Sequence, residues 1–310
     1  MSHAAPDPKI NPSVTVVVPM FNDEATIGQQ LEALAGQDYA GPWEVIVADN
    51  GSTDRSVEQA NRHARRFEHF RVVDASGSRG ASFARNAGAR AGRGEALLFT
   101  DADDVVRPGW IAALVDALHD SDLAGGPADE LEINPPFARE WGDPPVPTDR
   151  LNIVFNYLPN ARGNNVAIWR RVLDALGGWN EGYRFAEDIE LSWRALNAGY
   201  RLAFAPDAVV QYRRRHTIPG LVRQQFFRGR QAHRVQLARD FGRHGLRLES
   251  DSAQVRRSLK WIGANSPSAF RDRATRGSIA GTIAYGVGWV AGAADRRKLR
   301  RASPGEPPSL

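Results

Sequence analysis

The chain has 310 residues, 42% of them hydrophobic, and no cysteine, which gives ample material for a core and excludes disulfides and Cys-ligated zinc. Its net charge of +4 hides a split: residues 1–200 hold 18 Lys+Arg against 29 Asp+Glu (−11), and residues 201–310 hold 22 against 7 (+15). A basic segment of this kind suits an anionic partner such as membrane headgroups or nucleic acid, or packs as an arm on its own acidic domain. No RNP sequence, zinc finger or zipper accompanies it, which speaks against nucleic acid.

Met1 to Pro12 is polar and Pro-containing, without the apolar core of a secretory signal, so 1–12 reads as a disordered lead-in and the protein is expected in the cytoplasm. Val14 to Val18 is a β-branched strand stopped by Pro19. Glu24 to Gly36 then places Ile27, Leu31 and Leu34 at helical spacing. Trp43 to Ala48 is a second strand, and the turn and cap residues Asp49 to Asp54 lead into a polar helix reaching Arg66. Arg71-Val72-Val73 is a third strand, Ser82 to Ala91 a helix, and Ala96 to Phe99 a strand apolar enough to be covered on both faces. Strands alternating with helices make this an α/β chain with a Rossmann-like, mixed, mostly parallel sheet flanked by helices.

The run Leu97-Leu98-Phe99-Thr100 is broken by Asp101, Asp103 and Asp104. Ionised carboxylates do not stay in a core unpaired, so these three belong in a cleft at the strand's carboxyl end, where open α/β sheets bind ligands. Clustered hard oxygens suit Mg²⁺ or Mn²⁺ together with substrate phosphates. The other reading is that Asp103 or Asp104 caps the helix near Pro108-Gly109-Trp110. Asp49 falls at the end of the second strand, facing the same crevice, where it accepts from a base N–H or a ribose hydroxyl, or else closes an Asx turn.

Four segments, Val17-Val18-Pro19-Met20-Phe21-Asn22, Val47-Ala48-Asp49-Asn50-Gly51-Ser52-Thr53-Asp54, Gly80 to Gly88 and Asp101-Ala102-Asp103-Asp104, resemble the family 2 glycosyltransferases of GT-A fold in order and spacing. The likeness continues through Gly163-Asn164-Asn165-Val166-Ala167, Gly177-Gly178-Trp179-Asn180 and Ala186 to Arg194, roughly the first two-thirds of the chain. It implies that Pro19, Asn22 and Asp49 line a nucleoside pocket, that Arg85 approaches the nucleotide, and that Asp101 and Asp103 are the Asp-x-Asp pair, with Asp103 the direct metal ligand. Asn50 stands where the family often has a second Asp.

Asp188, with Glu187 at the start of a helix over 188–197, reads by itself as a helix-terminal acid; the resemblance makes it the general base. Glu187 and Trp179 are candidate acceptor contacts, although Trp179 equally reads as a core residue. The implied reaction is an inverting, non-processive, metal-dependent transfer from a nucleotide-diphosphate sugar to a carbohydrate, lipid-linked or small-molecule acceptor. A sugar-nucleotide pyrophosphorylase would show a Gly-rich, Lys-containing loop, which Val17 to Glu24 lacks. A non-catalytic nucleotide-sugar-binding protein would not need Asp101, Asp103 and Asp188 together.

The catalytic domain is expected over 13–215, with a nucleotide-binding half at 13–125 and an acceptor-binding half at 126–215, followed by a basic helical extension at 216–310. Between Gly126 and Pro159 the prolines predict a long surface loop. Tyr212 stands where many family members carry a metal-binding histidine; His216, four residues later, is either a further candidate ligand or a surface residue beside arginines. Gln225-Phe226-Phe227-Arg228-Gly229 lacks the Trp of the processive synthases' Gln-x-x-Arg-Trp signature. Gly277 to Ala294 is uncharged and Gly-rich between basic flanks, which predicts a packed or interfacial helix able to meet the cytoplasmic face of an anionic membrane, in preference to a spanning one.

Overall fold

Side-chain alternation decides how β1 (Val14–Met20) sits: Val14, Val16 and Val18 join the core on one face, Val17 joins the core on the other, and all four are buried. A strand buried on both faces belongs inside a parallel sheet. The computed structural model, which describes residues 11–139, 141, 147–154, 156–242, 260 and 273–302, places it there. β1 is followed by α1 (Ile27–Ala35), β2 (Trp43–Asp49), α2 (Ser56–Arg62), β3 (Phe70–Asp74), α3 (Ala81–Ala91) and β4 (Ala96–Phe99). Next come β5 (Val105–Val106), α4 (Trp110–Leu118), β6 (Leu123–Gly125), β7 (Ala128–Asp129), α5 (Pro136–Arg139), β8 (Asn152–Ile153) and β9 (Pro159–Asn160). The chain ends with β10 (Val166–Trp169), α6 (Arg170–Ala175), α7 (Glu187–Asn197), β11 (Leu202–Phe204), β12 (Val210–Gln211), α8 (Ile218–Gly242) and α9 (Arg273–Ala302).

The main sheet runs β11-β6-β10-β4-β1-β2-β3, and only β10 is antiparallel to its neighbours. This is the mixed, mostly parallel sheet that the alternating pattern predicts. Ala96 and Leu98 pack with Ile27, Leu31 and Leu34 of α1 and Trp110 and Leu114 of α4, while Leu97 and Phe99 pack with Leu173 of α6, Trp179 and Leu191 of α7. Fully burying such a side chain stabilises the fold by about 1.5–3 kcal/mol. The path from β1 leads to β2 and β3 on one side, and β4 returns on the other. A crevice therefore opens at the carboxyl ends of β1 and β4, where the chain direction through the sheet reverses.

Two expectations are corrected. Pro19 does not stop β1, which continues to Met20: β4 pairs only as far as Val17, so beyond that point no β4 partner needs the N–H that proline lacks. The 126–159 stretch is not a plain surface loop, because it contains β7, α5 and β8, and Trp141 is buried against Leu221, Ala274 and Phe137. Pro136 opens α5, at the one helical position where proline costs nothing. Residues 140, 142–146 and 155 of this stretch, 1–10 of the lead-in, and 243–259, 261–272 and 303–310 of the tail lie outside the described residues.

The Gly-rich segment of the tail lies in α9, packed along α8. A Cβ on Gly229 would sit 2.1 Å from the Tyr285 carbonyl oxygen and one on Gly288 2.0 Å from that of Phe226, so the close crossing requires glycine on both helices. No helix among the described residues is long and apolar enough to cross a membrane.

Candidate active site

Each strand that points into the crevice ends in a turn whose polar groups are held by another turn. After β1, Asn22 adopts a left-handed φ of 57°. Its amide donates to Ser52 Oγ at 3.0 Å and its side-chain oxygen accepts from the Thr53 amide at 2.8 Å, clamping the β1 and β2 turns together. Asp49 ends β2 directly opposite Met20 and accepts from the Ser52 amide at 3.2 and 3.3 Å, an Asx-type closure that leaves it half-buried at the crevice. Pro19, one residue back, is likewise half-buried. Asn50 donates to the Ala75 and Ser78 carbonyls at 2.6 and 2.7 Å and accepts from Gly80 at 2.9 Å. A carboxylate could donate to neither carbonyl, which explains the amide at this position.

Arg85, in the middle of α3, is almost wholly buried and bridges two carboxylates. Its guanidinium donates to Asp101 Oδ1 at 2.8 Å and to Glu187 Oε1 at 2.7 Å, and lies 4.8 Å above the Trp179 ring. Its pKa is raised above the usual range: burial opposes the charge, but Asp101 and Glu187 outweigh it. Burial in turn raises Glu187, with Arg85 as the main opposing influence. Breaking one side of such a buried ion pair costs about 3–5 kcal/mol, so the bridge fixes the start of α7 against the end of β4. Trp179 is 1% exposed, with its face under Arg85 and its edge on Phe99 at 5.1 Å. Of its two sequence readings the structure shows the core one, and its aromatic face has no surface through which to meet an acceptor.

Three consecutive residues join the halves of the site. The Gly163 amide donates to Asp188 Oδ2 at 3.0 Å, the Asn164 side chain donates to Asp104 Oδ2, and Asn165 accepts from the Trp110 indole at 2.9 Å. A Cβ on Gly163 would lie 3.0 Å from an Arg85 nitrogen, so glycine lets this turn pass over the guanidinium. Asp188 Oδ1 also accepts from the Ile189 amide at 2.8 Å, which leaves its remaining lone pairs for another partner.

The three aspartates after β4 present carboxylate oxygens all within 4.8 Å of one another. They are not equivalent. Asp104 is buried and has both oxygens engaged, by Asn164 and by the Arg213 amide at 2.8 Å. Its pKa is raised well above the carboxylate range, first by burial and then by the charges of Asp103 and Asp101. Asp101 Oδ2 and Asp103 Oδ1 accept no hydrogen bond from another of the described residues. Two such oxygens from adjacent carboxylates are the donor set a hard divalent cation takes.

Sequence reasoning missed Asp23, Gln30, Arg213 and Arg215. Burial pushes Asp23 up to about 7, with Asp103 and Asp101 adding to the rise. The buried Gln30 side chain donates to Thr100 Oγ1 at 2.8 Å and the Asp101 carbonyl at 3.1 Å, and accepts from the Val106 amide at 3.0 Å, holding both ends of the acidic turn. Arg213 donates to the Asp103 carbonyl at 2.8 Å, and Arg215 to Asp103 Oδ2 at 3.0 Å. Arg214 pairs with Glu130 at 2.6 Å. Much of the basic run after β12 is thus answered within the domain. His216 is exposed and stands outside the group of aspartates, and Tyr212 lies under Arg162 at 4.5 Å.

A family profile described as Glycosyl transferase family 2 matches residues 15–176, just over half of the chain. The chain belongs to glycosyl transferase family 2. Among curated members it is 27% identical over 216 residues to "Probable glycosyltransferase YdaM" of Bacillus subtilis (strain 168), covering 64% of this chain and 50% of that one. The chain thus spans about half the length of that relative. Among solved structures, the mannosyltransferase PcManGT from Pyrobaculum calidifontis, in complex with GDP-Man and Mn²⁺, superposes with a TM-score of 0.61 at 20% identity, covering 94% of this chain and 90% of that one. S. aureus TarS 1–349 in complex with UDP-GlcNAc gives 0.53 at 17% identity and 92% coverage of each. These likenesses show the shared GT-A fold of family 2.

Proposed function

We propose that the chain is an inverting, metal-dependent glycosyltransferase that moves a sugar from a nucleotide-diphosphate sugar to an acceptor hydroxyl, with Asp188 as general base. The observation that carries this is the continuous polar linkage from Asp101 through Arg85 and Glu187 to the start of α7, with Gly163 holding Asp188 beside it. The names of the family members and the nucleotide sugars in the two solved neighbours support the same reading.

In the reaction the acceptor oxygen attacks the anomeric carbon from the face opposite the diphosphate, and the carbon–phosphate-oxygen bond breaks. Asp188 takes the hydroxyl proton, its orientation fixed by the Gly163 and Ile189 amides. Asp49, Asn22 and Pro19 shape the nucleoside end. Asp103 and Asp101 would hold a Mg²⁺ or Mn²⁺ ion, which when bound supplies Lewis-acid stabilisation of the charge on the departing diphosphate. Arg85 acts by orienting Asp101 and Glu187. Glu187 serves the acceptor side through the start of α7, and the acceptor is a carbohydrate, a lipid-linked sugar or a small molecule.

A thermal-shift screen of UDP-, GDP- and dTDP-sugars with Mn²⁺ tests the donor assignment. One class should raise Tm, since a ligand at a hundred times its Kd stabilises by about 2.7 kcal/mol, and chelator should remove the shift. No shift with any class overturns the proposal.

The tail supports a location at the cytoplasmic face of a membrane. Ile283, Val287 and Val290 form an exposed apolar row on α9 near the exposed Arg276, a pattern suited to anionic headgroups. The full chain should sediment with anionic vesicles, and Val287→Glu should weaken this. Equal recovery in the supernatant with anionic and neutral vesicles would remove the membrane from the account.

A further inference from the structure

Asp103 differs from its neighbours in the kind of partner it has. Asp104 is engaged by an uncharged side chain and a backbone amide, and Asp101 by Arg85, which is itself buried and held from two further sides by Glu187 and Trp179. Asp103, with a side chain 18% exposed, is paired to Arg215, whose side chain is 50% exposed. The backbone around Arg215 is pinned. The Arg213 amide is fixed on Asp104, and Arg214 is fixed by its amide on Asn134 and by its side chain on Glu130. Arg215 therefore hangs from a fixed backbone as a long, half-exposed side chain that is ion-paired to Asp103 and attracted more weakly by Asp23, so its guanidinium can leave Asp103 while the segment stays in place.

We propose that Arg215 is an internal counter-cation of the donor site: it neutralises Asp103 while the site is empty, and the diphosphate of an incoming donor draws it away so that a divalent ion can take its place. This inference rests on the reading of Asp103 as a metal-binding residue. An arginine and a divalent cation on one carboxylate repel each other. The ion therefore binds poorly until something removes the guanidinium, and a diphosphate does so because its oxygens suit the guanidinium's planar, two-pronged donor set. The same residue thus lowers the affinity for the ion alone and raises the affinity for nucleotide, so ion and nucleotide bind with positive coupling. The arrangement keeps a cluster of like charges neutralised without a resident ion.

The experiment measures Mn²⁺ binding through the EPR signal of the free ion, with and without saturating GDP or UDP, for the wild type, Arg215→Gln, Arg215→Lys and Asp103→Ala. Arg215→Gln should bind Mn²⁺ alone at least about tenfold more tightly than the wild type and lose at least about tenfold in nucleotide affinity. Arg215→Lys, which keeps the charge, should stay close to the wild type in ion affinity. Unchanged affinity for Mn²⁺ alone in Arg215→Gln, with the wild type still binding Mn²⁺ in the presence of nucleotide, overturns the counter-cation role and leaves the metal site standing. A wild type that takes up no Mn²⁺ with either nucleotide, or an Asp103→Ala variant that binds it normally, overturns the metal reading and this inference with it. The Tm of each variant confirms folding, which a half-exposed side chain should not disturb.

Discussion

Asp188→Asn should reduce sugar transfer by about 10²–10⁴-fold, the range a positioned general base supplies, while donor affinity stays near the wild-type value. The amide keeps the size of the carboxylate and can still accept one of the two backbone hydrogen bonds, from Gly163 or from Ile189. It cannot take the acceptor's proton. The Asp101–Arg85–Glu187 bridge does not pass through the Asp188 carboxylate, so the donor end of the crevice keeps its shape. Transfer rate and donor Kd, measured on the same preparation, separate the two effects. Loss of donor binding in step with loss of transfer would show that Asp188 holds the site together without doing its chemistry.

The first half of the fold was legible because its signals are local. Four short apolar strands, each followed by turn residues and a helical repeat, predict β1 to β4 with small errors at their ends, and the break after Phe99 marks the cleft. The site residues were legible as types, but their partners were not. Arg85 read as a nucleotide contact; in the fold its guanidinium is committed to Asp101 and to Glu187, 102 positions away. Nothing in the spacing around Arg85 announces such a pairing. The run Arg213-Arg214-Arg215 read as part of a tail that either meets an anionic partner or packs as an arm on its own acidic domain, and Glu130 and Asp103 of the same chain answer it in the second way. Charge counted along the chain does not reveal which charges the fold has already matched. The stretch 126–159 failed for a related reason: its prolines forbid long elements, but Trp141 finds its cover in α8 and α9, which the local pattern could not supply.

Asp103→Ala should lose the metal-dependent part of nucleoside diphosphate binding, by at least roughly a hundredfold, corresponding to about 2.7 kcal/mol. Of the three clustered aspartates, Asp104 has both oxygens engaged by the protein, and Asp101 has one oxygen bound to Arg85. Asp103 is thus the carboxylate that an ion can share with a diphosphate, once Arg215 has left it. Its removal should spare the core, because the Asn164 and Arg213 contacts that hold the turn end on Asp104 and on the Asp103 backbone. The direct test is calorimetry of GDP and UDP binding with Mn²⁺ and again with chelator, on the wild type and on Asp103→Ala. A donor site assembled at the ends of β1, β2 and β4 predicts wild-type affinity that falls on chelation, and mutant affinity that is already low and insensitive to it. Wild-type affinity unchanged by chelator, or an Asp103→Ala variant that keeps its metal-dependent binding, would contradict the account.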